Sequence, residues 1–205
     1  MQSLVQLFNL ALARLGGEQL PQHISPQDGN TTGAICRNLF PHVLDLALAA
    51  HPWSFALKRA ALALLAQGGR PAREDFCLRY ALPADCVCPV RLAGTGGLNR
   101  SPAYALEGDS LCTNEANAVL LYVFRMNEPR RWPPAFADAL AWGLAGELAS
   151  ARLNDPQKQN WCYQNYKIVL AEAMARDRSS GNNRPLPQSP WVQARHGSAY
   201  LPERD

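Results

Sequence analysis

Apolar residues recur at helical spacing near both ends of this chain and at period two through its middle. Leu4, Phe8, Ala11 and Leu15 follow a helical repeat behind Ser3, which stands three positions before Gln6 as in a capping box, and Gly16-Gly17 supplies the stop. Residues 18–30 read as a loop punctuated by Pro21, Pro26, Gly29 and Asn30. A second helix is expected from Thr31 or Thr32 to His51-Pro52, with Ile35, Leu39, Val43, Leu46 and Ala50 as its buried stripe. Pro41 falls inside that pattern and is expected to kink or break it.

The period then changes. Phe76, Leu78, Tyr80 and Leu82 alternate with other residues as a half-buried strand does, and Cys86, Cys88, Val90 and Leu92 repeat the alternation. Gly94 to Gly97 reads as a turn. Tyr104 and Leu106 precede a tight-turn signal at Gly108-Asp109, with a short strand at Leu111-Cys112. Ala118 to Phe124 is a continuous apolar run and reads as a central strand. In residues 55–65 alanine and leucine favour helix, but the place before a run of strands assigns them to an extended opening strand. The connections are too short for crossover helices, so the sheet is expected to be antiparallel.

Helical spacing returns at Phe136, Leu140, Leu144 and Leu148, beside a small-residue stripe of Ala137, Ala141, Ala145 and Ala149 that permits close helix approach. Asp155 caps a fourth helix with Pro156 at its first position, and Trp161, Tyr166, Val169 and Ala173 are expected to face inward. After Arg176 the periodicity ends. Residues 177–205 are rich in Gly, Pro, Ser, Asn and Arg, a composition that does not order by itself. Trp191, Val192, Tyr200 and Leu201 are unusual in a solvating tail and read as anchors for a partner surface. The expected class is α+β: a four-helix-type bundle (1–52 and 133–176), an inserted antiparallel β-rich subdomain (53–132) and an extended C-terminal arm (177–205).

A length of 205 residues fits one domain, or one domain with a sizeable insertion, and lets a conventional core form by burying roughly 70% of the unfolded chain's surface. No apolar run approaches the roughly 20 residues that span a bilayer. Gln2 and Ser3 open the first helix without a basic segment, so no secretory signal is expected and the setting is read as cytoplasmic. The net charge of +3 is too small to mark a nucleic-acid binder, and its small clusters, Arg125/Arg130/Arg131 and Arg176/Arg178, read as solvated surface.

Cys36, Cys77, Cys86, Cys88, Cys112 and Cys162 lie mostly in apolar runs, where thiols pack as small hydrophobes. Cys86-Val87-Cys88 lacks the two-residue spacing of zinc ligands, and His23, His42, His51 and His196 add no second pair, so neither metal nor cofactor is expected. Gly108-Asp109-Ser110-Leu111 spells the signature of a family of serine esterases, which would need Ser110 beside a histidine base. The motif lies mid-chain, no histidine follows an aspartate by three positions, and a hairpin turn accounts for it. Gly94-Thr95-Gly96-Gly97 lacks the third glycine of a dinucleotide site. Asp75, Asp85, Glu107 and Asp109 are turn carboxylates, and Trp53, Phe55, Tyr80 and Pro83 read as structural anchors and not as base-stacking or substrate groups.

Three blocks carry a resemblance. His51-Pro52-Trp53-Ser54-Phe55-Ala56 leads into Lys58-Arg59-Ala60, and Tyr80-Ala81-Leu82-Pro83-Ala84-Asp85-Cys86 follows. Tyr104 through Gly108, Leu121-Tyr122-Val123 and Pro134-Ala135-Phe136 make up the third block, and Ser189-Pro190-Trp191 with Ala194-Arg195 stands in the arm. Together with the Asn9-Ala11-Leu12 helix, these residues resemble the head-to-tail adaptor proteins of tailed bacteriophages, the tail tubular protein A or head–tail connector group. The resemblance implies a structural virion protein with no enzymatic activity: a ring of twelve copies between portal protein and tail nozzle or tail tube, extending the channel through which viral DNA passes without sequence readout. It assigns Trp191, Val192, Arg195 and Tyr200 to contacts with the portal or a neighbouring subunit. Alternatives are a head- or tail-completion protein of a long-tailed phage, a small serine hydrolase using Ser110, and a nucleic-acid-binding module.

Overall fold

A computed structural model describes residues 3–17, 31–65, 75–93 and 102–181. Helix α1 (Leu4–Leu15) has the ends its sequence signals: the Ser3 hydroxyl accepts the Gln6 N–H at 3.2 Å, and Gly16 takes a left-handed φ of 73°. The N–H groups of Gly16 and Gly17 then return to the carbonyls of Ala13 and Leu12, satisfying acceptors the helix end would leave open. Leu7, Phe8, Ala11 and Leu12 are buried.

Of the kink or break expected at Pro41, the break does not occur: helix α2 (Thr31–Ala49) continues through Pro41, which lies on the exposed side while Phe40, Val43 and Leu44 hold the opposite side in the core. Its buried face is Cys36, Phe40, Val43, Leu44, Ala47 and Leu48. Leu46 is 47% exposed and Ala50 is open to solvent, so the real face is turned from the expected stripe by one position, about 100°.

Among the described residues six strands follow: β1 (Leu57–Ala61), β2 (Leu78–Ala81), β3 (Cys86–Ala93), β4 (Tyr104–Glu107), β5 (Ser110–Thr113) and β6 (Val119–Phe124). They form two antiparallel three-stranded sheets, ordered β1-β6-β3 and β2-β5-β4. The opening strand and the central place of β6 are as the pattern predicts. So is the β4–β5 hairpin, in which Glu107 pairs with Ser110 across Gly108-Asp109 and Gly108 has a φ of 55°. The alternation expected along β3 fails. Register shifts between Cys86 and Cys88 and between Pro89 and Arg91 send Cys88 and Val90 towards the helices, while Cys86 and Leu92 face the second sheet.

Helix α3 (Pro134–Leu148) is buried on nearly every side, and α1, α2 and α4 (Pro156–Gly181) pack around it. A π turn at Ala149–Leu153 ends it, and left-handed Asn154 (φ 47°) redirects the chain. The Asp155 carboxylate then accepts the N–H groups of Gln157 and Lys158, both at 3.0 Å, as a helix cap. One core joins the helices to the underside of the first sheet through Trp53, Ala56, Val123, Met126 and Trp132. A smaller core, including Leu62, Tyr80, Leu111, Leu120 and Tyr122, lies between the two sheets. The β-rich segment therefore sits between α2 and α3 in sequence but lies against the bundle, with one sheet face on the helices.

Two expectations about α4 are corrected. Of the four residues expected to face inward, Ala173 is buried and Tyr166 and Val169 are half-buried, but Trp161 is 52% exposed. The contact line runs through Cys162, Tyr166, Leu170 and Ala173, leaving Trp161 one position off it, edge-on to Trp142 with ring centroids 5.1 Å apart. The helix also passes Arg176 and reaches Gly181, because its last turns are held from outside.

Candidate docking surface

The corner after α2 is built by the block His51-Pro52-Trp53-Ser54-Phe55-Ala56. Pro52 cannot continue a helix, and the chain folds into a short 3-10 turn (Ser54–Ala56) in which the Ala56 N–H reaches the Trp53 carbonyl at 3.0 Å. The Trp53 indole N–H donates to the Ala47 carbonyl at 2.8 Å, so the large ring is buried with its polar atom satisfied. Trp53 and Phe55 both pack on Phe136, at 4.8 and 4.9 Å between ring centroids, and Trp132, Phe40 and Phe8 extend the aromatic chain towards α1.

Asp177 closes this corner from α4. Its carboxylate accepts the Ser54 backbone N–H at 3.1 Å and the Ser54 hydroxyl at 2.5 Å, and lies 3.1 Å from His51 Nε2. The His51 and Asp177 side chains are only 7% and 9% exposed. Periodicity gives Asp177 no role, although a local signal is present. An aspartate near a helix C-terminus opposes the macrodipole, so an acid between Arg176 and Arg178 implies a tertiary partner. Beside the clamp lies a half-open recess of about 290 Å³, lined on its apolar side by Trp53, Pro133, Pro134, Ala135, Phe136 and Ala173 and on its polar side by Ser54, Arg176, Asp177 and Ser180.

On the outer face of α4, Trp161 and Ile168 stand two turns apart, 52% and 59% exposed. Trp161 leans on Trp142, whose other partner is the Arg14 guanidinium, 4.0 Å from the ring centroid and paired with Asp138. Burial pulls the Arg14 pKa down against the opposing pull of Asp138.

The remaining sequence candidates take structural places. Tyr80 is buried and its hydroxyl donates to the Glu115 carbonyl at 2.8 Å, while the Pro83 carbonyl accepts the Cys86 N–H at 2.9 Å. Ser110 is 3% exposed; its hydroxyl donates to the Glu107 carbonyl at 2.6 Å and accepts from Arg79 Nε at 2.7 Å. Both partners belong to the hairpin and its neighbouring strand. Asp85 is engaged by Lys58 at 2.7 Å and by the Tyr122 hydroxyl at 2.9 Å. Arg125 pairs with Asp45, and Arg131 and Arg176 lie near Glu128 and Glu172. Burial raises the thiols of Cys36 and Cys86 to about 11, which keeps them protonated and unreactive at neutral pH. Among the described residues no group of three or more His, Cys, Asp or Glu is placed to hold a metal ion, and no helix is long and apolar enough to cross a membrane. Trp191, Val192, Arg195 and Tyr200, with the Gly94 to Gly97 turn, lie outside the described residues. No family model and no curated protein matches this chain.

Proposed function

We propose that this chain is a structural adaptor of the phage head–tail junction, assembling as a ring between portal protein and tail nozzle. The observation that carries the reading is the pair of exposed apolar side chains on α4, Trp161 seated on Trp142 and Ile168 two turns further along the same side. Large apolar side chains left open on one side of a helix favour a protein partner, and tryptophan is enriched among residues that dominate interface energetics. A ring uses one heterologous contact repeated until it closes, so a copy of this chain needs an apolar contact surface on one side. The residues most specific to the adaptor resemblance also have a structural use consistent with it: His51, Trp53 and Ser54 build the corner that fixes the end of α4, from which the arm with Trp191, Val192, Arg195 and Tyr200 departs. Passing DNA would meet the ring without base-specific contacts.

The test is electron microscopy of the full chain mixed with its portal protein. Annular particles added to the portal end are expected, and Trp161→Glu or Trp191→Ala is expected to reduce their number. Portals that never acquire an added ring, at any ratio of the two proteins, would overturn the proposal.

A further inference from the structure

The recess beside the Asp177 clamp sits at the point where the chain leaves α4. Its volume of about 290 Å³ falls at the lower limit of small-molecule pockets, about 300–1,000 Å³, and suits one or two side chains. Proline rings and alanine methyls from Pro133, Pro134, Ala135 and Ala173 supply much of its apolar lining, while Ser54, Arg176, Asp177 and Ser180 line its polar side, where the chain leaves α4. Gly181 follows directly, then Asn182-Asn183, residue types that tolerate the left-handed backbone with which chains reverse at helix ends. Next comes Arg184-Pro185-Leu186-Pro187. Prolines on both sides of one aliphatic residue favour the extended polyproline conformation, which docks into proline- and aromatic-lined grooves at low entropic cost. Fully extended, the stretch from Gly181 to Leu186 spans about 17 Å, enough to fold back over a recess that Ser180 already lines.

We propose that Leu186, held between Pro185 and Pro187, fills this recess in the same chain. So short a tether keeps the segment at an effective concentration of about millimolar, so a weak apolar contact suffices. Docking there gives the arm a fixed point of departure across the α2–β1 corner. It leaves Trp191 and Tyr200, further along, free for other surfaces. The inference does not depend on the adaptor reading, because it concerns the isolated chain.

The test is nuclear magnetic resonance on the full chain. The Leu186 methyls are expected to show contacts to the Ala135 and Ala173 methyls and ring-current shifts from Phe136, and the Gln188 amide to exchange at least ~10-fold more slowly than an open peptide. Ala135→Arg, which fills the recess, and Leu186→Asp, which removes the occupant, are each expected to abolish these signals while α3 resonances persist. Leu186 methyls at unstructured shifts would overturn the proposal. So would contacts from Trp191 in place of Leu186, or contacts seen only between differently labelled molecules, which would make a second copy the occupant. Failure to bind portals would bear on the adaptor reading alone.

Discussion

Asp177 accepts both the backbone N–H and the hydroxyl of Ser54 across 123 residues of sequence. A single carboxylate thereby ties the last turns of α4 to the corner where the helices give way to strands, and His51 adds a third contact. Hydrogen bonds to a charged group contribute about 1.5–3 kcal/mol each, and a buried polar group left unpaired costs ~1–3 kcal/mol. Asp177→Ala is therefore expected to destabilise the fold by about 2 kcal/mol, roughly 4–8 °C in Tm at this size. Urea and thermal unfolding read the global loss. Faster amide exchange confined to the turns after Ala173 would locate it, and unchanged exchange there would refute the clamp.

Gly143 sits where α2 and α4 both press on α3. A Cβ added there would lie 2.9 Å from Val43 Cγ1 and 3.3 Å from the Tyr166 ring. Alanine gains up to about 1 kcal/mol of helix propensity over glycine, but overpacking a tight interior costs about 1–3 kcal/mol. The clash is expected to win, making Gly143→Ala less stable by about 1 kcal/mol. Val43→Ala in the same chain removes the nearest obstacle and should recover part of that loss, giving a non-zero coupling energy in a double-mutant cycle. Simple additivity of the two substitutions would show that α2 does not press on Gly143.

Local signals were the readable ones. Ser3, Gly16, Asp155 and Pro156 cap helices in the structure as their residue types require. The turn at Gly108-Asp109 and the apolar run of β6 rest on equally local chemistry. What the pattern misplaced depends on contacts distant in sequence. α2 is rich in Leu and Ala on several faces, so periodicity alone did not choose between Leu46 and Leu44 for the core. The bulges of β3 answer to the pairing with β6, and the extension of α4 to Gly181 coincides with a clamp supplied by His51 and Ser54. The inward stripe of Tyr166, Val169 and Ala173 does not extend to Trp161, and a large exposed aromatic side chain is a more informative observation than a buried one.

Ser110 provides a clean separation of hairpin from hydrolase. Its hydroxyl is spent on the Glu107 carbonyl and Arg79. Ser110→Ala is expected to lose about 1 kcal/mol of stability through those bonds. The parent chain is expected to hydrolyse a short-chain nitrophenyl ester no faster than buffer. Ester turnover by the parent that disappears in Ser110→Ala would establish the esterase alternative instead.

The Lys58–Asp85–Tyr122 group sets an acid-side dependence. The hydrogen bond from Lys58, above all, holds the Asp85 carboxyl below its ordinary 3.8, with the Tyr122 hydroxyl adding to it. A carboxyl whose folded pKa is depressed stabilises the fold above its unfolded pKa, and that contribution disappears as pH falls through the folded value. Lys58 and Asp85 are both substantially open to solvent, so the effect is small. Unfolding free energies between pH 2 and 6 should thus fall more steeply towards acid for the parent than for Asp85→Asn, which has no proton to bind, with the difference confined below about pH 4. Added salt should shrink that difference, since an exposed pair is screened. Parallel curves for the two proteins would mean that Lys58 and Asp85 do not pair in solution, and that β3 is held on β6 by the backbone ladder and the packing around Tyr122 without help from that pair.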